Sequence, residues 1–244
     1  MKVIILTAGS GSRLKYGKPK SLVSIDERKL IDIQLSQLKL AEIDIEDITV
    51  ITGYKSELFS DFKFKKIKNE KYNITNQMYS ISLAKHYKNE KEVLIVYGDV
   101  LFEHYLIKDM SNSSFDFIVP SYSKFKQLWK SRGDTRFEDL ETFEISEKSF
   151  LIQIGEKVID INSVKGQFMG LVYFDNYKFK IFLENYELFN VENSYQKYME
   201  LQTTHFLNYL ISRSIDIKIL PYDGYFMELD SQFDLEIIQK GINF

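Results

Sequence analysis

Cysteine is absent from the 244-residue sequence, and histidine and proline occur only three times each. Without cysteine, neither a disulfide nor a thiolate metal site can form. The histidines (His86, His104 and His205) are widely spaced, which argues against a zinc site built on imidazole. No apolar run approaches the ~18 residues of a membrane span, and the apolar start at residues 3–6 is too short for a signal peptide. We therefore expect a cytoplasmic protein without membrane insertion.

Neither sign of charge is in strong excess. The chain holds 32 Lys and Arg against 35 Asp and Glu, a net charge of −3. Proteins that bind nucleic acid usually carry a basic excess, so no nucleic-acid partner is expected. No Ser/Gly-rich linker or repeat interrupts the sequence, and a chain of this length can bury a full core by itself. We expect one domain over residues 1–244.

Apolar runs alternate with helical patterns in the first half of the chain. Residues 2–7, 47–53 and 92–97 are predicted to form buried strands, and residues 29–43 and 77–87 to form helices. This order predicts a Rossmann-like three-layer αβα fold with a mostly parallel central sheet. The remaining predictions are a short helix at 56–62, a helix at 103–109, a strand at 115–119, short β segments within 149–175, helices at 176–190 and 195–212, a strand at 215–220 and a closing helix at 232–240.

A glycine-rich loop follows the first predicted strand. Gly9 and Gly11 allow backbone N–H groups to approach a phosphate closely. A dinucleotide fingerprint would need a small residue where Leu14 stands, and no Gly-Lys-Ser/Thr string provides a Walker A loop. Glycines alone fit an ordinary turn equally well. Arg13 and Lys20 add two cations to the same loop, which indicates a phosphate ligand.

The string Leu-Thr-Ala-Gly-Ser-Gly-Ser-Arg-Leu at 6–14, followed by Lys-Pro-Lys-Ser-Leu at 18–22, resembles the signature of the nucleoside-triphosphate transferase family. That family includes sugar-nucleotide pyrophosphorylases and cytidylyltransferases. The resemblance implies a GT-A-like nucleotidyltransferase fold with a small β-rich acceptor-side insertion. It also implies that Arg13 holds the β- and γ-phosphates and that Lys20 faces the α-phosphate. The implied contacts to base and phosphates are Leu6, Thr7, Ala8, Gly9, Ser10 and Gly11.

Two acidic positions resemble the metal ligands of the same family. Gly98-Asp99 ends an apolar strand, and Glu228-Leu229-Asp230 precedes the last predicted helix. The resemblance implies that Asp99 and Asp230 bind Mg²⁺, whose preferred ligands are oxygens. Two structural alternatives are that Asp99 ends its strand in a turn and that Asp230 caps the helix.

A third resemblance points to one branch of the family. Asn-x-x-Asn-Gln-Met-Tyr-Ser at 73–80 resembles the base-side segment of cytidylyltransferases acting on phosphocholine and 2-aminoethylphosphonate. It implies nucleotide contacts from Asn76, Tyr79, Ser80 and Gly98, and acceptor contacts near Gly170. Residues 1–121 then form the nucleotide-binding half and residues 122–244 the acceptor-binding half. One departure is His205, which stands where relatives usually carry aspartate.

The segment 122–141 mixes both signs of charge. Arg132, Arg136 and Glu138 are candidate acceptor contacts, because cations can bind a phosphoryl group while a carboxylate binds an amine. A solvated loop would have the same composition. The predicted function is Mg²⁺-dependent transfer of CMP from CTP to a small phosphorylated or phosphonate acceptor bearing an amine or amide. Pyrophosphate would be released, and the product would serve surface polysaccharide or phospholipid-type modification.

Three other functions fit parts of the sequence. A homodimer is possible as well. A sugar-1-phosphate nucleotidyltransferase using UTP or dTTP would share the same motifs. A metal-dependent glycosyltransferase normally shows Asp-x-Asp, whereas Asp99 is followed by Val100 and Leu101. A non-catalytic regulatory relative would be expected to lose Lys20 or an aspartate, and all are present. The residues after the last helix leave no room for an acetyltransferase β-helix.

Overall fold

The computed structural model of the chain describes residues 1–14, 16–131, 140–158 and 160–241. The strands are β1 (Lys2–Leu6), β2 (Ser24–Ile25), β3 (Arg28–Lys29), β4 (Ile48–Thr52), β5 (Lys65–Lys68), β6 (Val93–Tyr97), β7 (Val100–Phe102), β8 (Phe117–Tyr122), β9 (Glu141–Ile145), β10 (Leu151–Lys157), β11 (Gln167–Phe168), β12 (Leu171–Phe174), β13 (Lys218–Tyr222) and β14 (Phe226–Glu228). The α-helices are α1 (Leu30–Leu40), α2 (Gln77–Ser82), α3 (His104–Ser111), α4 (Phe125–Ser131), α5 (Lys178–Glu192), α6 (Tyr195–Met199), α7 (Thr203–Ser212) and α8 (Gln232–Gly241).

Eight of these strands form one sheet. β1 lies between β6 and β4, and β5 follows β4; all these pairs are parallel. On the other side of β6, β12 runs antiparallel and joins β8, to which β13 pairs in parallel. The prediction of an α/β fold with a mostly parallel central sheet is therefore confirmed.

The centre of the sheet is apolar on both faces. Val3, Ile4 and Ile5 of β1 are fully buried, as is Val50 of β4. Strands covered by helices on both faces read as continuous apolar runs, which is why the sequence pattern identified them. β5 has the sequence Lys-Lys-Ile-Lys and lies at the sheet edge, where charged side chains discourage pairing with another chain. This edge strand was not predicted, because it lacks an apolar run.

Two predicted helices are interrupted. The segment 77–87 forms α2 and then the one-turn 3-10 helix Lys85–Tyr87. The segment 195–212 divides into α6 and α7. Backbone carbonyls at this break accept hydrogen bonds from the first turn of α2. The N–H of Asn76 donates to the carbonyl of Met199 at 2.9 Å, and that of Met78 donates to Leu201 at 3.3 Å. The break therefore supplies acceptors to the beginning of α2, where N–H groups have no partner within the helix.

A hairpin of β9 and β10 lies outside the main sheet and packs on α7. The side-chain amide of Asn208 accepts from the N–H of Ile154 at 2.9 Å and donates to the carbonyl of the same residue. Gly155 has a φ of +85°, and a Cβ there would lie 2.8 Å from Cβ of Thr204. Glycine thus permits the close approach of the hairpin to α7. In the part of the chain that the structure describes, no helix has the length and apolar content of a membrane span.

Candidate active site

The glycine-rich loop lies at the carboxyl ends of β1, β4 and β6. Thr7 donates its N–H and its hydroxyl to the carbonyl of Ile51, at 2.9 and 3.0 Å. The N–H of Gly98 donates to the carbonyl of Leu6 at 2.9 Å, and a Cβ on Gly98 would lie 2.6 Å from that oxygen. The structure therefore joins the predicted loop 6–11 to Gly98, at the edge where open α/β sheets bind ligands.

Lys20 begins a 3-10 turn directly after Pro19. Its Nζ lies 2.8 Å from Oδ2 of Asp99 and 2.7 Å from Oδ1 of Asp230, and its side chain is 13% exposed. Burial alone would lower the pKa of this ammonium group. The two carboxylates outweigh burial, so the pKa of Lys20 is raised above its ordinary value. Lys20 therefore stays charged throughout the physiological pH range.

Gly11 makes this position of Lys20 possible. Its φ is +60°, and a Cβ there would lie 3.0 Å from Cγ of Lys20. The backbone of Arg13 belongs to the neighbouring 3-10 turn, Ser12–Leu14. The side chain of Arg13 lies outside what the structure describes, so its phosphate contact stays a prediction.

Three carboxylates meet beside Lys20. Oxygen atoms of Asp99, Glu228 and Asp230 all lie within 4.8 Å of one another. The pairing of β14 with β7 sets this arrangement, because Glu228 stands opposite Val100 and the N–H of Leu229 donates to the carbonyl of Asp99 at 2.8 Å. Glu228 was not predicted as a ligand. The signal was its position two residues before Asp230, since alternate residues of an extended segment share a face.

The acidic cluster fits a divalent cation. Three carboxylates against the single charge of Lys20 leave a negative excess, and Mg²⁺ is bound by oxygen ligands of this kind. Asp99, Glu228 and Asp230 are the residues that would hold it. The alternative that Asp230 caps the final helix is not favoured, because Asp234 accepts from the N–H and hydroxyl of Ser231 at 2.7 and 2.8 Å, and Ser231 Oγ accepts from Asp234 N–H at 3.3 Å. That reciprocal pair caps α8.

A cavity of about 410 Å³ adjoins the acidic cluster. Its lining includes Glu228 and Asp230 of the acidic cluster and residues of β9, β11 and α7. The described residues that line it are Gln77, Tyr97, Trp129, Leu140, Glu141, Thr142, Phe143, Ile154, Gln167, Phe168, Gly170, Gln202, Thr204, Glu228, Asp230 and Asp234. Its size suits a small ligand.

Of the predicted acceptor residues, Gly170 lies in the described part of the chain. Gly170 lines the cavity, and its φ of +71° places it so that a Cβ would lie 3.0 Å from the ring of Tyr97. Arg132, Arg136 and Glu138 lie outside the described residues, so their roles stay predictions. His205 is exposed on α7, and its neighbour Thr204 lines the cavity instead.

The three predicted nucleotide contacts at and just before α2 (Asn76, Tyr79 and Ser80) do not line the cavity. The Asn76 amide donates to the carbonyl of Glu200 at 3.2 Å, and Ser80 Oγ accepts from the amide of Asn69 at 3.1 Å. The ring of Tyr79 lies 5.8 Å from Nζ of Lys71. The residue of this motif that does line the cavity is Gln77. The nucleotide contacts of Asn76, Tyr79 and Ser80 stay predictions.

Glu141 begins β9, is half-buried, and lines the cavity. It is the last residue of the mixed-charge segment 122–141, whose carboxylates are predicted to bind an amine, but it is not among the residues named there as acceptor contacts. Burial raises the pKa of its carboxyl group, while the nearby His205 and Thr204 act in the opposite direction without cancelling the rise. Composition alone does not distinguish it from the other carboxylates of that segment.

The chain is similar to several proteins that are named as cytidylyltransferases. Over 97% of its length the chain is 26% identical to a CTP:phosphoglutamine cytidylyltransferase of Campylobacter jejuni, 98% of which is matched. It is 34% identical over 54% of its length to 54% of a choline-phosphate cytidylyltransferase of Haemophilus influenzae. Its structure resembles that of a CTP:phosphocholine cytidylyltransferase from Streptococcus pneumoniae, with a TM-score of 0.73, 20% identity, and coverage of 98% and 97% of the two chains. The last likeness shows a shared fold.

The family assignment comes from a sequence model. Residues 3–153 match the model described as the MobA-like NTP transferase domain, which is more than half of the chain. The matched segment includes the glycine-rich loop, Lys20 and Asp99, and the predicted resemblance is confirmed. The chain belongs to the MobA-like NTP transferase family and is a nucleotidyltransferase.

Proposed function

We propose that this protein transfers CMP from CTP to a small phosphorylated or phosphonate acceptor that bears an amine or amide. The observation that carries the proposal is the ion-paired Lys20 between Asp99 and Asp230, at the carboxyl edge beside the glycine-rich loop. The similarity to a CTP:phosphoglutamine cytidylyltransferase, which extends over nearly the whole chain, supports CTP as the donor. We further propose that the enzyme acts in the cytoplasm. Its product would serve surface polysaccharide or phospholipid-type modification.

The reaction is an in-line displacement at phosphorus. An oxygen of the acceptor's phosphate or phosphonate forms a bond to the α-phosphorus of CTP, and the bond to the bridging α–β oxygen breaks. Pyrophosphate leaves with that electron pair. The attacking oxygen is already anionic at neutral pH, so no side chain has to remove a proton.

Repulsion between anions is the main barrier, and the described residues address it. Lys20 keeps its charge because its pKa is raised, so it serves as a fixed cation for the α-phosphate and not as a base. Backbone N–H groups of the loop 6–11 bind and orient the phosphates. Mg²⁺ held by Asp99, Glu228 and Asp230 would shield phosphate charge.

Pyrophosphate release with a matrix of donors and acceptors tests the proposal. CTP should outperform UTP, dTTP, ATP and GTP, and amine- or amide-bearing phosphates and phosphonates should outperform glucose 1-phosphate. A preference for UTP or dTTP with a hexose 1-phosphate would overturn the assignment in favour of a sugar-1-phosphate nucleotidyltransferase.

A further inference from the structure

The described lining of the cavity beside the acidic cluster is acidic. It includes Glu228 and Asp230 of the cluster, and Glu141 adds a further carboxylate from β9. Lys20 contacts the lining residue Asp230, but it does not itself line the cavity. A carboxylate on a cavity wall suits a part of the acceptor that carries N–H donors.

The position of Glu141 is set by the hairpin that carries it. Thr204 of α7 lies near enough to act on the pKa of its carboxyl group. The hairpin that carries Glu141 is fixed to α7 by Asn208, which bonds both backbone groups of Ile154, and by the close approach of Gly155 to Thr204. A carboxylate positioned on a cavity wall in this way is a ready acceptor for N–H donors.

Gln77 provides a second acceptor on the same cavity. Its Oε1 is buried and has no hydrogen-bond partner in the protein. Buried polar atoms are rarely left unpaired, because their desolvation costs about 1–3 kcal/mol. Because this oxygen has almost no accessible surface, it would meet a ligand N–H donor only when the side-chain amide turns towards the cavity that Gln77 lines.

A second glutamine on the cavity wall, Gln167, is held in one orientation. Nε1 of Trp129 donates to Oε1 of the buried Gln167 at 2.9 Å. This bond uses the carbonyl of the Gln167 side chain, so the orientation of its amide is fixed. The aromatic rings of Trp129 and Phe168 border the same space and limit its width.

We infer that Glu141 and Gln77 select the acceptor by accepting hydrogen bonds from an N–H-bearing amine or primary amide at the end opposite its phosphate. The inference rests on the proposed function and names the specificity residues of that site. A trimethylammonium group has no N–H, so it would donate no hydrogen bond to the Glu141 carboxylate or to Oε1 of Gln77. A site that hydrogen-bonds its substrate discriminates strongly against an analogue without the donor.

Phosphoethanolamine and phosphocholine form a matched pair, because they differ only in three methyl groups on nitrogen. With CTP and the wild-type protein, we expect kcat/KM for phosphoethanolamine, or for a phosphorylated glutamine, to exceed that for phosphocholine at least tenfold, on the order of one lost hydrogen bond to a charged group. Equal or better use of phosphocholine would overturn the inference while leaving CMP transfer intact.

Single substitutions test whether the two residues determine acceptor specificity or only stabilise the fold. Glu141→Gln and Gln77→Met should each raise the KM for the N–H-bearing acceptor by about tenfold or more, with the KM for CTP within twofold. Glu144→Gln removes a charge from the same strand at an exposed position that does not line the cavity, and it should change neither KM. The melting temperature of each variant is measured in parallel to confirm folding.

The outcomes distinguish failure of the proposed function from failure of this inference alone. Wild-type protein that releases no pyrophosphate from CTP with any acceptor overturns the proposed function and this inference with it. Active protein whose acceptor KM is unchanged by both Glu141→Gln and Gln77→Met overturns the inference alone. A parallel rise in the KM for CTP and for the acceptor also overturns it, because that result would mark a structural role.

Discussion

Lys20 combines a buried position with a permanent charge. Its ammonium group contacts two carboxylates, and their attraction outweighs the burial that would otherwise favour the neutral amine. In the absence of substrate this lysine neutralises part of the acidic cluster. In the proposed reaction the same charge would be available to the phosphates of a bound nucleoside triphosphate.

Replacing Lys20 by methionine keeps the length of the side chain and removes its charge. We expect Lys20→Met to lower kcat for pyrophosphate release by ~10²-fold or more, the cost of one electrostatic donor at the transition state. Lys18→Met is the matched control, because Lys18 lies two residues earlier and its Nζ stands 5.6 Å from the ring of Tyr16. Release within threefold of wild type would contradict the role of Lys20.

The Glu141 carboxylate makes stability depend on pH. Its pKa in the folded protein is raised above the ordinary value of 4.5, mainly by burial. The folded state therefore holds this proton more tightly than the unfolded state, and stability falls as pH rises through the raised pKa. Without ligand, Glu141→Gln should melt at a higher temperature than wild type at pH 7–8, and the difference should shrink towards pH 4.5. Thermal melts across pH measure it; a lower melting temperature of the variant at neutral pH would contradict the expectation.

The β9–β10 hairpin is the element that connects the cavity to α7. It carries Glu141 and Phe143 on β9 and Ile154 on β10, and all three line the cavity. Its attachment depends on Asn208 and on the absence of a side chain at Gly155. A shift of this hairpin would move the cavity wall that carries Glu141, which we propose to contact the acceptor.

Gly155→Ala tests this attachment. The added Cβ would lie 2.8 Å from Thr204 in a backbone conformation with a φ of +85°, so both strain and a steric clash are expected. We expect a loss of roughly 2–4 kcal/mol in the free energy of unfolding, together with a raised acceptor KM. Gly17→Ala has a similar φ of +66° but nothing within 4 Å of its Cβ, so it should lose only about 1–2 kcal/mol from strain. Chemical denaturation measures both, and equal losses would contradict the clash.

The whole molecule brings the acidic cluster together from distant parts of the chain. Lys20 bonds to residues 79 and 210 positions away. The sheet places the ends of β1 and β6 side by side, and the β7–β14 pair brings Glu228 and Asp230 to Asp99. Because every member depends on this arrangement, the proposed cation binding would report on the assembly of the site.

Mg²⁺ binding should require the three carboxylates together. We expect Asp99→Asn, Glu228→Gln and Asp230→Asn each to weaken Mg²⁺ binding, measured by calorimetry with CTP present, by about tenfold or more, because each removes a charged oxygen ligand. Asp223→Asn, whose side chain is 81% exposed, is the control. Unchanged affinity in all three variants would place the cation elsewhere.

The sequence determined the features that depend on neighbouring residues. Continuous apolar runs identified β1, β4 and β6, since strands buried on both faces need no alternation. The local string around the glycines and Lys20 was sufficient for the family. Asp99 and Asp230 were identified by their resemblance to the metal-binding aspartates of the family. These signals are local, so a single sequence contains them.

Only the tertiary structure decided which distant groups meet. The contact of Lys20 with both aspartates, the addition of Glu228 to the cluster and the place of Glu141 on the cavity wall all depend on strand order, register and the packing of a hairpin on α7. The division of 195–212 into two helices likewise follows from hydrogen bonds to α2. Local periodicity carries no information on such contacts, because their energy comes from partners that the fold alone brings within reach.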